Sequence, residues 1–436
     1  MIEVKDKKNC CGCSACASVC PRHCITMVED SEGFLYPQVD EEACVNCGLC
    51  EKVCNELNPY DTREPLQVLA AINKDDEVRQ KSSSGGIFHL LAEKTIGEGG
   101  VVFGARFDEN WQVVIDYAED MKGVEAFMGS KYVQARMGKA YADAKSFLCE
   151  GRKVLFSGTP CQVAGLHKFL RKPYDNLLTV DVVCYGVPSP KVWNVYLDEV
   201  IREGQYIGSV SFQNQGKMWR KLGFYPRHEK ESRMVSLLSP LSENHFMKAF
   251  LGNIILRPSC YECKVKDCSS QSDITIADFW GIETLFPQMD DNKGTGMVFV
   301  NTEKGKSALD FVQMRVAETT YDSIRPLNPA CWRSAQPHPK REEFFRHLGD
   351  KSVIDLINDC TKPTLRQRLG AIKRCTQAFV VSLAKPNETS GEIPKKPNKP
   401  FPKEPPIITS AHKIASISFR SKDDGWRNYN MVIRLK

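Results

Sequence analysis

"RKVLFSGTPCQVAGLHKFL", residues 152–170, decides how the larger part of this 436-residue chain folds. Val154, Leu155 and Phe156 make an apolar run too short for a helix, so they read as a buried strand. Ser157, Gly158, Thr159 and Pro160 interrupt it, and the apolar spacing after Cys161 predicts a helix. A second unit of the same kind follows in "NLLTVDVVCYGVPSPKVWNVYLDEVI", residues 176–201, with a strand over 177–183, then Cys184, and a helix from about Pro190. If the two strands join one parallel sheet, Cys161 and Cys184 emerge at the same edge. Open α/β sheets bind their ligands at that edge.

The texture on either side agrees. Upstream, "LQVLAAI" (66–72) reads as a strand, "SSSGGIFHLLAEKTI" (82–96) as a loop entering a helix, and "VVFGARF" (101–107) with "QVVIDYA" (112–118) as a hairpin turning at "DEN". Downstream, strands near 207–213, 274–277 and 297–300 are expected to extend the sheet. Helices are expected over 304–316, 340–348, 352–360 and 364–383. Residues 385–406 hold seven prolines and read as a polyproline or disordered linker, and residues 407–436 as a terminal hairpin without a functional reading.

The chain begins differently. Ten of its 19 cysteines fall within the first 54 residues, and the total is odd, which argues for metal ligands rather than a disulfide framework. No signal segment opens the chain and no run approaches eighteen apolar residues, so a cytoplasmic protein without a membrane span is expected. A net charge of +5 without a long Lys/Arg run argues against nucleic acid as a partner.

Cys10, Cys13, Cys16 and Cys20 stand in C-x2-C-x2-C-x3-C spacing followed by Pro21, and Cys44, Cys47, Cys50 and Cys54 repeat it 34 residues later. Three thiolates so spaced wrap a turn around a cubane and ligate three of its irons, and the fourth iron takes a distant cysteine from the other motif. The expected ligand sets are Cys10, Cys13, Cys16 and Cys54 for one [4Fe-4S] cluster, and Cys44, Cys47, Cys50 and Cys20 for the other. Structural zinc knuckles would leave the middle cysteine of each triple without a role. Residues 8–57 resemble a two-cluster ferredoxin domain, with the intervening "ITMVEDSEGFLYPQVD" as its hairpin and Asn55 where such domains usually carry proline. Cys11 and Cys24 fall outside the spacing and read as small buried hydrophobes.

A second group, Cys260, Cys263 and Cys268 in "CYECKVKDC", wants a fourth ligand, with Cys184 first in line and Cys161 second. It admits a third [4Fe-4S] cluster, a zinc site or unmetallated thiols. "SSSGG" (82–86) and "SGTPC" (157–161) each precede a helix, where small residues either cap it or admit a phosphate; a free Cys161 thiol there would be acidified.

In their order, "SSSGG", "GSKYVQ" (129–134), "FSGTPCQVAGL", "VCYGVPSP" and "SDITIADFWG" resemble the coenzyme F(420) hydrogenase/dehydrogenase beta-subunit family over roughly residues 8–375. The resemblance implies FAD bound without a GxGxxG fingerprint, with Ser83, Ser84, Gly85, Gly86, Ser130, Lys131, Tyr132, Gly158 and Thr159 as contacts and Lys131 as a phosphate partner. The expected organisation is a two-cluster domain (1–57), a linker (58–65), a mixed α/β flavin domain (66–384), the Pro-rich linker and the tail. The expected function is an iron-sulfur flavoprotein oxidoreductase that exchanges electrons with a soluble organic acceptor, a deazaflavin or another small molecule. The alternative is an electron-transfer subunit beside a separate catalytic partner; a zinc-knuckle interaction protein is a weaker one. Asp181, Tyr185 and His167 near the sheet edge read as structural, and no catalytic residue is assigned.

Overall fold

The computed structural model describes residues 1–201, 209–211, 221–225, 239–240, 244–362, 414–421 and 429–435. Its strands, in chain order, are β1 (Ile25–Glu29), β2 (Leu35–Val39), β3 (Gln67–Asn73), β4 (Val101–Phe107), β5 (Val113–Ala118), β6 (Val154–Gly158), β7 (Leu177–Val182), β8 (Ser209–Ser211), β9 (Lys221–Tyr225), β10 (Ser239–Pro240), β11 (Ile274–Asp278), β12 (Gly296–Val300), β13 (Met314–Thr319), β14 (Ile414–Ser421) and β15 (Tyr429–Leu435). The chain divides into two units, residues 1–360 and 361–436.

Eight strands of the first unit form one sheet in the order β13-β3-β12-β11-β7-β6-β4-β5. β4, β6, β7 and β11 are parallel neighbours, whereas β5, β12 and β13 run against theirs. Val154, Leu155 and Phe156 are buried to 1% exposure or less, as a strand covered on both faces requires. Helices Ile87–Gly97, Pro160–Leu170 and Pro190–Val200 begin where the sequence places them. Thr159 caps the second of these through a reciprocal bond with Gln162, and Pro160 follows at the first helical position. No helix among the described residues is long and apolar enough to cross a membrane.

Two expectations fail. β8, within 207–213, does not extend the main sheet but pairs with β9 in a three-stranded sheet with β10. The helix expected over 304–316 stops at Ala308, and β13 follows as an edge strand. Asp310 accepts the Val312 N–H at 2.9 Å, a local turn that competes with helix, and the following "MRVAET" is mostly exposed beyond its buried Met314, as an edge strand can be. The helix Ala140–Cys149 escapes sequence reading altogether. The segments 364–383 and 385–406 lie outside the described residues. In the second unit β14 and β15 pair antiparallel, as the terminal hairpin predicts.

His167 and Asp181 belong to a buried polar cluster between β7 and β11. Asp273 accepts the Thr179 N–H and hydroxyl at 2.9 Å each and the Thr302 hydroxyl at 2.8 Å. Asp181 accepts from Ser270, and Arg63 of the expected linker donates to the Ser272 carbonyl. Burial lowers His167 to about 4, so its ring is neutral. Asp273→Ala strands three buried donors, and a loss of about 3 kcal/mol is expected in urea unfolding.

At the N-terminus, β1 and β2 form the expected hairpin between two cysteine-rich turns, each followed by a short helix, Ala15–Val19 and Leu49–Lys52. The module packs on helix Pro160–Leu170 at Gly165. A Cβ there would stand 2.5 Å from the Tyr141 hydroxyl and 3.1 Å from Cys13 Cβ, so only glycine permits the approach. Arg341 forks onto Glu32 at the hairpin turn, with both groups largely buried.

Candidate metal centres and cofactor site

Cys20, Cys44, Cys47 and Cys50 line one cavity of about 360 Å³, with Cys24 as a fifth thiol and Pro21, Ile25 and Leu49 as apolar wall. These four are the set the repeated spacing predicts. Cys47 is exposed, and Cys20 and Cys50 are buried. Cys24 Sγ lies 3.4 Å from Cys20 Sγ, so this off-spacing cysteine belongs to the cavity and not merely to packing.

The other set also converges. Burial pushes Cys16 up to about 12, with Cys10 and Cys54 beside it adding to the effect. Cys10 is raised by burial, opposed by Arg257, and feels Cys54; Cys13 feels Cys16. Four converging, largely enclosed thiols that each resist ionisation are a poor arrangement for bare protein. Iron would supply the positive charge that makes thiolates of them, so the donor set fits a cluster. Among the described residues no three His, Cys, Asp or Glu side chains close on a single ion. A cubane spreads its four thiolates over four irons, which suits that wider spacing.

The third group divides between two places. Cys161, Cys184, Cys260 and Cys263 line a cavity of about 540 Å³ with Cys11, Glu56, Tyr185 and Lys266. Cys161 and Cys184 do emerge at the carboxyl edge of adjacent parallel strands, as expected. Cys268 does not join them: it stands among Asp181, Arg63 and Cys331, and burial raises it to about 12. The chain is pulled away after Cys263, because Lys266 donates to the carbonyls of Cys184 and Ala330 at 2.5 and 2.8 Å and the Asp267 N–H to that of Cys331. Cys161 lines the cavity beside the other three. It is not acidified as a helix N-terminus would have it: its bond with Cys11 and its burial hold the thiol well above the ordinary value. Cys11, a neighbour of Cys13 in the ferredoxin module, lines the inner cavity as well. Sequence reading missed Glu56, which burial raises to about 7 against the pull of Lys264 and Arg257.

The residues assigned to flavin by resemblance separate into two places. Ser83 Oγ meets Ser130 Oγ at 3.1 Å, which brings the two loops together beyond β3. Lys131 Nζ donates to the carbonyls of Ala126 and Met128 at 2.7 and 3.0 Å, and burial lowers it to about 7. Tyr132 is raised by burial, with Asp278 at the end of β11 adding to it and a bond with Ser130 opposing it, and packs its ring 5.0 Å from Phe250. Ser84 donates to the Thr295 carbonyl at 2.8 Å, and Gly86 caps the following helix at φ +79°. Gly85 faces the chain's own backbone. Gly158 and Thr159 stand apart from these, beside Cys161 at the end of β6.

Residues 151–322 match the family model for the C-terminal part of the coenzyme F420 hydrogenase/dehydrogenase beta subunit. Residues 9–56 match a 4Fe-4S dicluster domain. The dicluster segment precedes the beta-subunit segment along the chain, and "SSSGG" and "GSKYVQ" lie outside both. No curated protein matches the chain. Among solved structures, a chain of the F420-reducing nickel-iron hydrogenase complex from Methanosarcina barkeri is 18% identical, with 62% of this chain and 89% of that one covered and a TM-score of 0.43.

Proposed function

We propose that this chain is an iron-sulfur flavoprotein that relays electrons between a one-electron redox partner and a soluble organic molecule, a coenzyme F420-type deazaflavin or another small acceptor. The observation that carries the reading is that Cys11 of the dicluster module lines a second cysteine cavity, with Cys161, Cys184, Cys260 and Cys263, at the ligand-binding edge of the sheet.

Within that reading, Cys47 offers the surface port, since it is the exposed member of its set. Cys10, Cys13, Cys16 and Cys54 hold the middle centre. Cys161, Cys184, Cys260 and Cys263 hold the inner one, with Tyr185 and Lys266 on its wall. Bound there, clusters supply single-electron transfer and FAD supplies exchange of electron pairs with an organic molecule. Ser83, Ser130 and Lys131 would orient a phosphate end beyond β3, and Gly158 and Thr159 would approach the other end beyond β6. Four strand steps separate β3 from β6, about 19 Å at ordinary sheet spacing, a span that suits an extended dinucleotide.

A second reading, an electron-transfer subunit serving a separate catalytic chain, is favoured by the beta-subunit description of the matched family and by the exposed Cys47. Iron, sulfide and flavin analysis of anaerobically purified protein tests the common core: three clusters and FAD are expected, and zinc without sulfide would refute it. Turnover by the isolated chain selects the enzyme; activity confined to a stoichiometric complex selects the subunit.

Lys131 gives a pH signature. With an amine at about 7 in the free protein, a phosphate alongside raises it, so binding takes up a proton. FAD affinity is then full below about pH 7 and falls as pH rises, by up to roughly tenfold per unit. Equilibrium titration checks this, and Lys131→Met is expected to flatten the slope.

A further inference from the structure

Arg257 is fully buried, with 0% of its surface exposed. Among the described residues no carboxylate lies within ion-pair distance of it. A buried cation without an anion is costly, and the cost falls only when a negative group stands close by. The guanidinium points at the dicluster module. Nε donates to the Cys10 carbonyl at 2.7 Å, Nη1 to Gln134 Oε1 at 3.1 Å, and Nη2 to the Leu35 carbonyl at 2.9 Å and to Cys10 Sγ at 3.5 Å. The Tyr36 ring lies 4.4 Å from its centre. Gly12 leaves the room: a Cβ there would stand 2.7 Å from Nη1. The backbone carbonyl of Arg257 accepts the Cys260 N–H at 3.0 Å, so the same residue opens the turn that carries an inner-cavity thiol.

We infer that Arg257 is a positioning residue that raises the reduction potential of the centre held by Cys10, Cys13, Cys16 and Cys54 above that of the centre held by Cys20, Cys44, Cys47 and Cys50. The inference rests on the dicluster reading and its ligand assignment. A cluster ligand is a thiolate and only accepts, so Arg257 must be the donor to Cys10 Sγ. One-electron reduction adds one negative charge to the cluster while a low-potential donor is oxidised by one electron. A fixed cation and an N–H···S bond stabilise the reduced form more than the oxidised form. Electrons arriving at the exposed Cys47 side are thereby drawn toward the inner cavity.

The test is an anaerobic redox titration of the full chain with dithionite and mediators, the two N-terminal clusters followed separately by electron paramagnetic resonance. Arg257→Gln is expected to lower the reduction equilibrium of one cluster at least tenfold, 59 mV for one electron, and to leave the other unchanged. Arg257→Lys, which keeps the charge without the fork, is expected to recover part of the shift. Unchanged potentials, or equal shifts of both clusters, would overturn the inference. If the variants fail to load iron, wild-type protein containing arginine labelled with 15N in the guanidinium alone decides: a nitrogen hyperfine coupling at the cluster next to Cys10 is expected, and its absence refutes the contact. A wild-type chain without iron and sulfide would instead remove the dicluster reading itself.

Discussion

Cys161→Ser is expected to yield a chain with about eight irons instead of about twelve, and to cut reduction of bound flavin by a one-electron donor by at least roughly a hundredfold. Serine removes one of four thiolates from a cavity in which Cys161, Cys184, Cys260 and Cys263 are the converging set. Cys11 lines the same cavity, but it is engaged with Cys13 as well as Cys161, so it is a poor substitute. Cys268→Ser is the matched control. It lies among Asp181, Arg63 and Cys331, outside the cavity, and its replacement is expected to leave iron content unchanged. Iron and sulfide per chain, with electron paramagnetic resonance of the reduced protein, check both. Loss of a cluster in Cys268→Ser with retention in Cys161→Ser would restore the assignment by spacing.

Gly85→Ala carries the second large effect. The added Cβ would stand 2.3 Å from the Ala71 carbonyl oxygen and 2.5 Å from the Gly296 nitrogen, both backbone atoms of β3 and β12. Neither can swing aside as a side-chain tip could, and the Asn73 N–H to Gly85 carbonyl bond at 2.8 Å ties the loop to the strand. A destabilisation of about 3 kcal/mol is expected in urea unfolding. Gly85 therefore reads as a packing glycine rather than a flavin contact. A stable Gly85→Ala protein that has lost only FAD would return it to the flavin site.

The strand-loop-helix units at 152–170 and 176–201 were legible because short apolar runs bounded by small residues leave little else for the backbone to do. The dicluster domain was legible because a repeated cysteine spacing encodes geometry directly. "CYECKVKDC" was not, since three cysteines along a chain do not say where the chain turns. That turn comes from Lys266 and Asp267 reaching carbonyls at residues 184, 330 and 331. The roles of Cys11 and Cys24 were hidden for the same reason, as each is defined by a thiol that tertiary structure brings to it. Arg257 left no trace in the sequence: a lone arginine 247 positions from Cys10 becomes meaningful only when the hairpin is docked. β13 was lost because helix propensity was carried past the turn at Asp310.

The central claim is that electrons pass from the dicluster module through the inner cysteine cavity to a flavin. Anaerobic stopped-flow mixing of the purified chain with a reduced one-electron donor tests it most directly, with cluster and flavin absorbance followed together in wild type and Cys161→Ser. The account predicts cluster reduction first and flavin reduction after it in the wild type, with the second phase lost in the variant. Flavin reduction at the wild-type rate in Cys161→Ser would contradict it.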